Sequence, residues 1–348
     1  MANDFYDVSG RTADTVSLRD KVAFLSSSRA YADAEGIVEA RETHMAWVFL
    51  TEDRVYKLKK PVVYPHRDCY FLRDREVLCR EEVRLNRRLA PEIYLGVVAL
   101  RLDGQGRLAI SDEGEVVDWL VVMKRLPEPL MLDVAVSTGR VSKARISRVA
   151  GMLADFYRGL EPVEVTAASY VDRFKGELDR NREVLVDPQF GLASGAVLPL
   201  LDRLARLLGE EPGLLGDRAD QGHIVEGHGD LRPEHVCLRE PPAVIDCLEF
   251  SRRLRLVDPF DELSFLGLEC ERLGAAWIGE QMINECAQAL ENRPSGRLLA
   301  FYTAARACLR ARLSLAHLLE PAPRKPEKWQ PQAREYLALA LRACRELG

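Results

Sequence analysis

The sequence carries no excess of positive charge: 49 Lys and Arg stand against 54 Asp and Glu in 348 residues, a net charge of −5. A strongly basic nucleic-acid-binding surface is therefore not expected. No stretch approaches the ~18 apolar residues a membrane helix needs, and Met1-Ala2-Asn3-Asp4-Phe5 lacks the basic and apolar regions of a signal peptide. The expectation is a cytoplasmic protein without a membrane partner. There is no CxxC pair and no Cys/His cluster at zinc spacing. The eight cysteines, at 69, 79, 237, 247, 270, 286, 308 and 344, are scattered along a chain too long to need disulfide staples, and read as reduced thiols. Internal repeats and low-complexity tracts are also missing. What is present, 47% hydrophobic and 30% charged residues, is the composition of a globular protein with length for roughly two domains.

Hydrophobic spacing divides the chain. Ser17 caps a short predicted lead-in helix carrying Leu18, Val22 and Leu25. MAWVFL and RVYKLK alternate as strands about the polar turn Thr51-Glu52-Asp53, predicting a hairpin over 45–59. The stretch 73–89 is predicted helical, with Leu78, Leu85 and Leu89 on one stripe, and Pro91 stops it. YLGVVAL, RLAIS and DWLVVMKRL read as further strands. Beyond Pro127 and Pro129 the pattern is helical, interrupted by VCL and AVID, a predicted short hairpin about Arg239-Glu240-Pro241-Pro242. This is an α+β arrangement. A β-rich N-terminal lobe is expected over 1–126 and a larger helical lobe over 127–348.

The most informative segment is His228-Gly229-Asp230-Leu231-Arg232-Pro233-Glu234-His235-Val236, followed after the hairpin by Ile245-Asp246-Cys247-Leu248-Glu249-Phe250. An acid before the hairpin and another at its far end are what phosphoryl transfer requires: one carboxylate orients the attacking hydroxyl, the other holds the metal on the nucleotide phosphates.

HGDLRPEH resembles the catalytic loop H-R-D-L-K-P-E-N of protein kinases and the H-G-D-L-H-x-x-N loop of aminoglycoside phosphotransferases, and IDCLEF resembles the metal-binding segment that follows. The His-Gly start favours the aminoglycoside phosphotransferase branch. Glu42-Thr43-His44, Val55-Tyr56-Lys57-Leu58-Lys59-Lys60-Pro61 and Arg84-Leu85-Asn86-Arg87-Arg88-Leu89-Ala90-Pro91 resemble a largely uncharacterised bacterial group within it. The resemblance implies a protein-kinase-like two-lobed fold of the aminoglycoside phosphotransferase type. It implies transfer of the ATP γ-phosphoryl group to a hydroxyl of a small molecule, with Mg2+, or Mn2+, as the metal. Asp230 takes the role of catalytic carboxylate and Asp246 that of metal ligand. Glu249 either reaches the same metal or makes a structural hydrogen bond. Arg232 stands in the place of the kinase loop lysine, where it neutralises charge on the transferring group or is simply an exposed loop arginine. Lys57 is preferred as the phosphate-gripping lysine, with Lys59 its rival on the same side of the strand. Glu82 shares the face of Leu78, Leu85 and Leu89 and is preferred over Glu81 as the lysine's partner. Met123, Lys124, Arg125 and Leu126 form the expected adenine edge. In Asp258-Pro259-Phe260-Asp261-Glu262-Leu263, Asp261 is expected to buttress the catalytic loop.

The pattern departs from the family in two places. His235 stands where an asparagine supplies oxygen to the metal, although magnesium prefers oxygen donors. Three readings follow: His235 orders the loop by bonding Asp230, ligates a softer metal, or weakens catalysis. The first is preferred. The first strands also lack a G-x-G-x-x-G loop, so Thr43 or His44 is a candidate phosphate contact. Both departures motivate an alternative, a nucleotide-binding pseudokinase with a regulatory or scaffold role. The Arg-rich run 251–255 reads as a solvated loop, and residues 161–220 with the C-terminal helices as the walls of the acceptor pocket.

Overall fold

The computed structural model describes residues 15–32, 36–64, 67–68, 70–192, 194–320 and 323–347. They form two compact units. The first runs to Glu128 and includes Ala243–Arg253; the second holds Pro129–Pro242 and Leu254 onward.

In the first unit, alternating side chains build a six-stranded antiparallel sheet from β1 (Glu39–Glu42), β2 (Ala46–Leu50), β3 (Arg54–Lys59), β4 (Tyr94–Leu102), β5 (Leu108–Ile110) and β6 (Glu115–Lys124), in the order β1-β2-β3-β6-β4-β5. The β2–β3 turn is clasped by Thr51, whose hydroxyl accepts from Arg54 N–H at 3.1 Å and donates to Arg54 C=O at 3.1 Å. Period two sends Tyr56 and Leu58 to one face of β3, where Leu25, Phe49, Leu100 and Leu120 join them. That face is covered by α1 (Leu18–Leu25), whose Ser17 cap accepts from Asp20 N–H at 3.1 Å. On the opposite face lies α2 (Leu72–Asn86), packing Cys79 and Val83 against Val121 and Met123. The helix ends three residues before Leu89, and its buried face carries Cys79, Glu82, Val83 and Asn86 as well as Leu85.

The second unit is helical: α3 (Leu132–Ser137), α4 (Lys143–Arg158), α5 (Ala167–Leu185), α6 (Ser194–Glu210), α7 (Gly213–Asp220), α8 (Pro259–Arg272), α9 (Ala276–Ala289), α10 (Gly296–Ala316) and α11 (Pro326–Arg345). Ser142, Thr166, Asp258 and Ser295 cap α4, α5, α8 and α10 through side-chain oxygens. Buried Asp258 also receives Arg218 at 2.5 and 3.1 Å and Tyr302 at 3.0 Å, tying α7 and α10 to the start of α8. A two-residue antiparallel pair, Val225–Glu226 with Leu256–Val257, leads into the Asp230 loop. Beside it Arg255 is 2% exposed and bound to Glu226 at 2.7 Å, so the Arg-rich run is not wholly solvated. Val236–Cys237 and Ala243–Val244 are short strands where VCL and AVID place them. The seven described cysteines are buried thiols outside any disulfide; Cys69 lies outside the described residues. Among the described residues no helix is long and apolar enough to cross a membrane.

Candidate active site

Two clusters gather most of the residues singled out in the sequence. In the first unit, five charged groups alternate in sign along one series. Lys57 Nζ lies 2.6 Å from Asp246 Oδ1 and 3.0 Å from Glu82 Oε1. Lys59 Nζ bonds the other oxygen of Glu82 and lies 2.7 Å from Glu249 Oε1. Glu82 is fully buried, whereas Glu81 faces outward and pairs with Arg84. The two lysines differ in depth: Lys57 is 17% exposed and Lys59 1%. Burial works against both charges, but Asp246, Glu82 and Glu249 outweigh it at Lys57, and Glu249 and Glu82 at Lys59. Both ammonium groups are held above their ordinary range.

Asp246 sits in the left-handed region at φ 63°, a backbone conformation that costs a non-glycine residue free energy and needs support. Its N–H donates to Tyr94 Oη at 3.1 Å, and the next N–H, of Cys247, donates to Asn86 Oδ1 at 2.9 Å. Asn86 is in turn bonded to Glu82 C=O at 2.9 Å. The helix that carries Glu82 thus also clamps the segment that carries Asp246. Tyr94 and Asn86 lie in stretches the sequence reading used only as strand and motif; nothing in their spacing marks this role. The Asp246 carboxylate is 42% exposed and offers the hard oxygen donor magnesium prefers, so this residue fits such an ion. Glu249 is 7% exposed and engaged as the counter-ion of Lys59.

The second unit holds Asp230, Arg232 and His235. Glu262, on α8, accepts the N–H of His228 at 3.1 Å, the N–H of Gly229, and the Tyr157 hydroxyl at 2.9 Å. Burial raises its carboxyl above the ordinary value against the lowering effect of those donors. Gly229 takes φ 89°, and a Cβ on Gly227 would come within 2.5 Å of Glu262 Oε2, so both glycines permit this clamp. The expected buttress, Asp261, instead binds Arg306 at 2.7 and 2.6 Å. Neighbours on a helix point about 100° apart, and it is Glu262 that faces the loop.

Within the loop, Arg232 lies 3.0 Å from Asp230 Oδ2 and 2.6 Å from Glu234. Burial pushes the Asp230 carboxyl up; Arg232 leads the positive groups that outweigh it, and the net effect is a carboxyl held below its ordinary value. His235 Nδ1 lies 2.8 Å from the Asp230 carbonyl and its Nε2 lies 3.3 Å from Arg232 Nη2. A carbonyl only accepts and a guanidinium only donates, so the ring carries its proton on Nδ1. Both nitrogens are then engaged inside the loop, the Nε2 lone pair by Arg232.

Met123 to Leu126 join neither cluster. Met123 packs in the core, and the N–H groups of Lys124 and Arg125 are bound by Ile93 C=O at 2.9 Å and Asp53 C=O at 2.8 Å. Leu126 N–H has no hydrogen-bond partner among the described residues.

The fold is protein-kinase-like, as in solved structures of choline and ethanolamine kinases. A choline/ethanolamine kinase family protein from Mesorhizobium loti is 16% identical and superposes with a TM-score of 0.53, covering 94% of this chain and 98% of that one. Choline kinase LicA from Streptococcus pneumoniae is 15% identical, with a TM-score of 0.53 over 92% of this chain and 99% of its own; LicA in complex with AMP gives 0.51 at 17% identity, over 94% and 97%. By sequence, an uncharacterized protein of Mycobacterium tuberculosis is 29% identical over 292 residues, 83% of this chain. The match spans only 57% of that relative's length. No family model matches the sequence.

Proposed function

We propose that the protein is an ATP-dependent small-molecule kinase that transfers the γ-phosphoryl group to a hydroxyl. The observation that carries this reading is the joint attachment of Lys57 to Glu82 and Asp246. It unites a strand lysine, a helix glutamate and the acid after the hairpin in one cluster, the set that grips nucleotide phosphates in kinases.

Lys57, the outer lysine, exchanges Asp246 for phosphate oxygens, while Glu82 keeps it in place. Lys59 remains inside with Glu249 as a structural pair. Asp246 would hold a magnesium ion, which when bound supplies positive charge to the phosphate oxygens. Asp230, kept ionised by Arg232, accepts the proton of the attacking hydroxyl and orients its oxygen. His235 fixes the loop through the Asp230 carbonyl and leaves metal binding to oxygen donors. Leu126 N–H is the free amide of the proposed adenine edge. The structures of fold neighbours, one of them with AMP, support a nucleotide as the bound group.

The test is incubation of the protein with γ-labelled ATP, Mg2+ and a small-molecule extract, beside Asp230→Ala. Asp230-dependent label in a new product supports the kinase. Nucleotide binding with no transfer supports the regulatory alternative.

A further inference from the structure

This inference rests on the kinase reading and concerns the acceptor. Helix α10 presents three arginines to the interior of the second unit, and two of them are each bound through both Nε and Nη2. Arg306 spends Nε and Nη2 on Asp261 at 2.7 and 2.6 Å. Arg312 spends Nε on Asn181 at 2.8 Å and Nη2 on Glu177. Arg310 differs. Its Nε bonds Glu269 at 2.9 Å and reaches the Tyr336 hydroxyl at 3.4 Å, but its Nη1 and Nη2 have no hydrogen-bond partner among the described residues.

The guanidinium is held rather than loose. It lies over the rings of Phe265 and Tyr336, at 5.9 and 5.5 Å from their centroids, and is 18% exposed. Its anchor Glu269 is itself fixed by the Tyr336 hydroxyl at 2.8 Å and by Arg272 at 3.2 Å. Helix α8, which carries Glu269, packs on the Pro233–His235 turn of the Asp230 loop. The charge of Arg310 is felt there: it helps lower the Asp230 carboxyl and is repelled by Arg232. The nearby acids are already paired, Glu234 with Arg232 and Glu269 with Arg310 and Arg272. Asp133, on α3, has Glu234 and His235 as its charged neighbours.

We propose that the acceptor is an anion, a hydroxy acid or a phosphorylated polyol, whose carboxylate or phosphate docks on the free fork of Arg310 while its hydroxyl meets Asp230. A guanidinium with both Nη groups unspent is suited to a planar or tetrahedral oxyanion. An amino alcohol or aminoglycoside would set an ammonium donor against the donor fork of Arg310, with no acceptor there to receive it, which selects against it. In the transfer, the hydroxyl oxygen bonds the γ-phosphorus and the bond from that phosphorus to the β–γ bridging oxygen breaks. ADP leaves with the electron pair and the hydroxyl proton passes to Asp230.

To test this, a cytoplasmic small-molecule extract is split on anion- and cation-exchange resins before labelling, and each fraction is given to the full chain with γ-labelled ATP. Asp230-dependent label is expected from the anion-exchange fraction alone. Arg310→Met should lower kcat/KM for that acceptor about tenfold or more, near 1.4 kcal/mol, with KM for ATP unchanged, and Arg310→Lys should restore part of it. Phosphatase treatment of the fraction before labelling separates the sources, abolishing a phosphate-ester acceptor and sparing a hydroxy acid. Label from the cation-exchange fraction, or an anionic acceptor indifferent to Arg310→Met, overturns this inference and leaves the kinase standing. Label from neither fraction overturns both.

Discussion

Lys59 and Glu249 meet inside the first unit, Nζ 2.7 Å from Oε1, with only 1% and 7% of their side chains exposed. That pair assigns different tasks to two lysines on the same face of one strand. Lys57 is the lysine nearer solvent, and Glu249 is engaged by its own counter-ion.

Lys59→Met should therefore damage stability more than Lys57→Met. Removing the inner lysine leaves Glu82 and Glu249 facing each other without it, and breaking a buried pair costs about 3–5 kcal/mol. Urea unfolding of both variants measures this. Lys57→Met should unfold later than Lys59→Met yet lose more ATP affinity; the opposite ranking would exchange the roles of the two lysines.

Glu262→Gln should lower kcat while sparing KM for ATP. The amide presents one accepting oxygen where the carboxylate presents two, and an N–H of His228 or Gly229 left without its acceptor costs about 1–3 kcal/mol. Gly227→Ala should act alike, since its Cβ would press on Glu262 Oε2. Steady-state kinetics on both variants decide the point; unchanged kcat would show that the clamp does not position Asp230.

The pH dependence follows from Asp230. Its folded-state value is lowered, so the ionised carboxylate adds stability above its unfolded value, and this is lost as pH falls through the folded value. Activity that requires the ionised form holds down to the same limb. Arg232→Met removes the leading attraction and leaves burial to act, so the acid limb of kcat/KM should move up. A limb that stays put would mean that Arg232 does not keep Asp230 ionised.

His235→Ala should reduce kcat, and His235→Asn should recover most of it, because an asparagine amide can also donate to the Asp230 carbonyl. The magnesium concentration giving half-maximal activity should be the same in both variants as in the parent chain. A shift in that midpoint would return His235 to the metal.

Much of the fold was legible because alternation and helical phase are local. The period-two pattern of RVYKLK gave β3 and its two faces, and the phase of Glu82 against Leu85 placed it inward, where it is fully buried. The same period could not separate Lys57 from Lys59, since both point one way and only depth tells them apart. Asp261 and Glu262 were harder still: both are buried acids in one motif, and only the packing of α8 shows that Glu262 reaches the loop while Asp261 meets Arg306. Asn86, Tyr94 and Arg310 act through residues 161, 152 and 41 positions away, separations at which spacing in the sequence carries no signal.

The most direct measurement is the affinity for ATP by titration calorimetry, with and without Mg2+, for the parent chain, Lys57→Met and Asp246→Asn. Binding should weaken about tenfold or more, near 1.4 kcal/mol, when the metal is withheld and in each variant, and Asp246→Asn should lose most of its response to magnesium. Equal affinity in all three proteins, with or without the metal, would contradict a phosphate-gripping cluster built on Lys57 and Asp246.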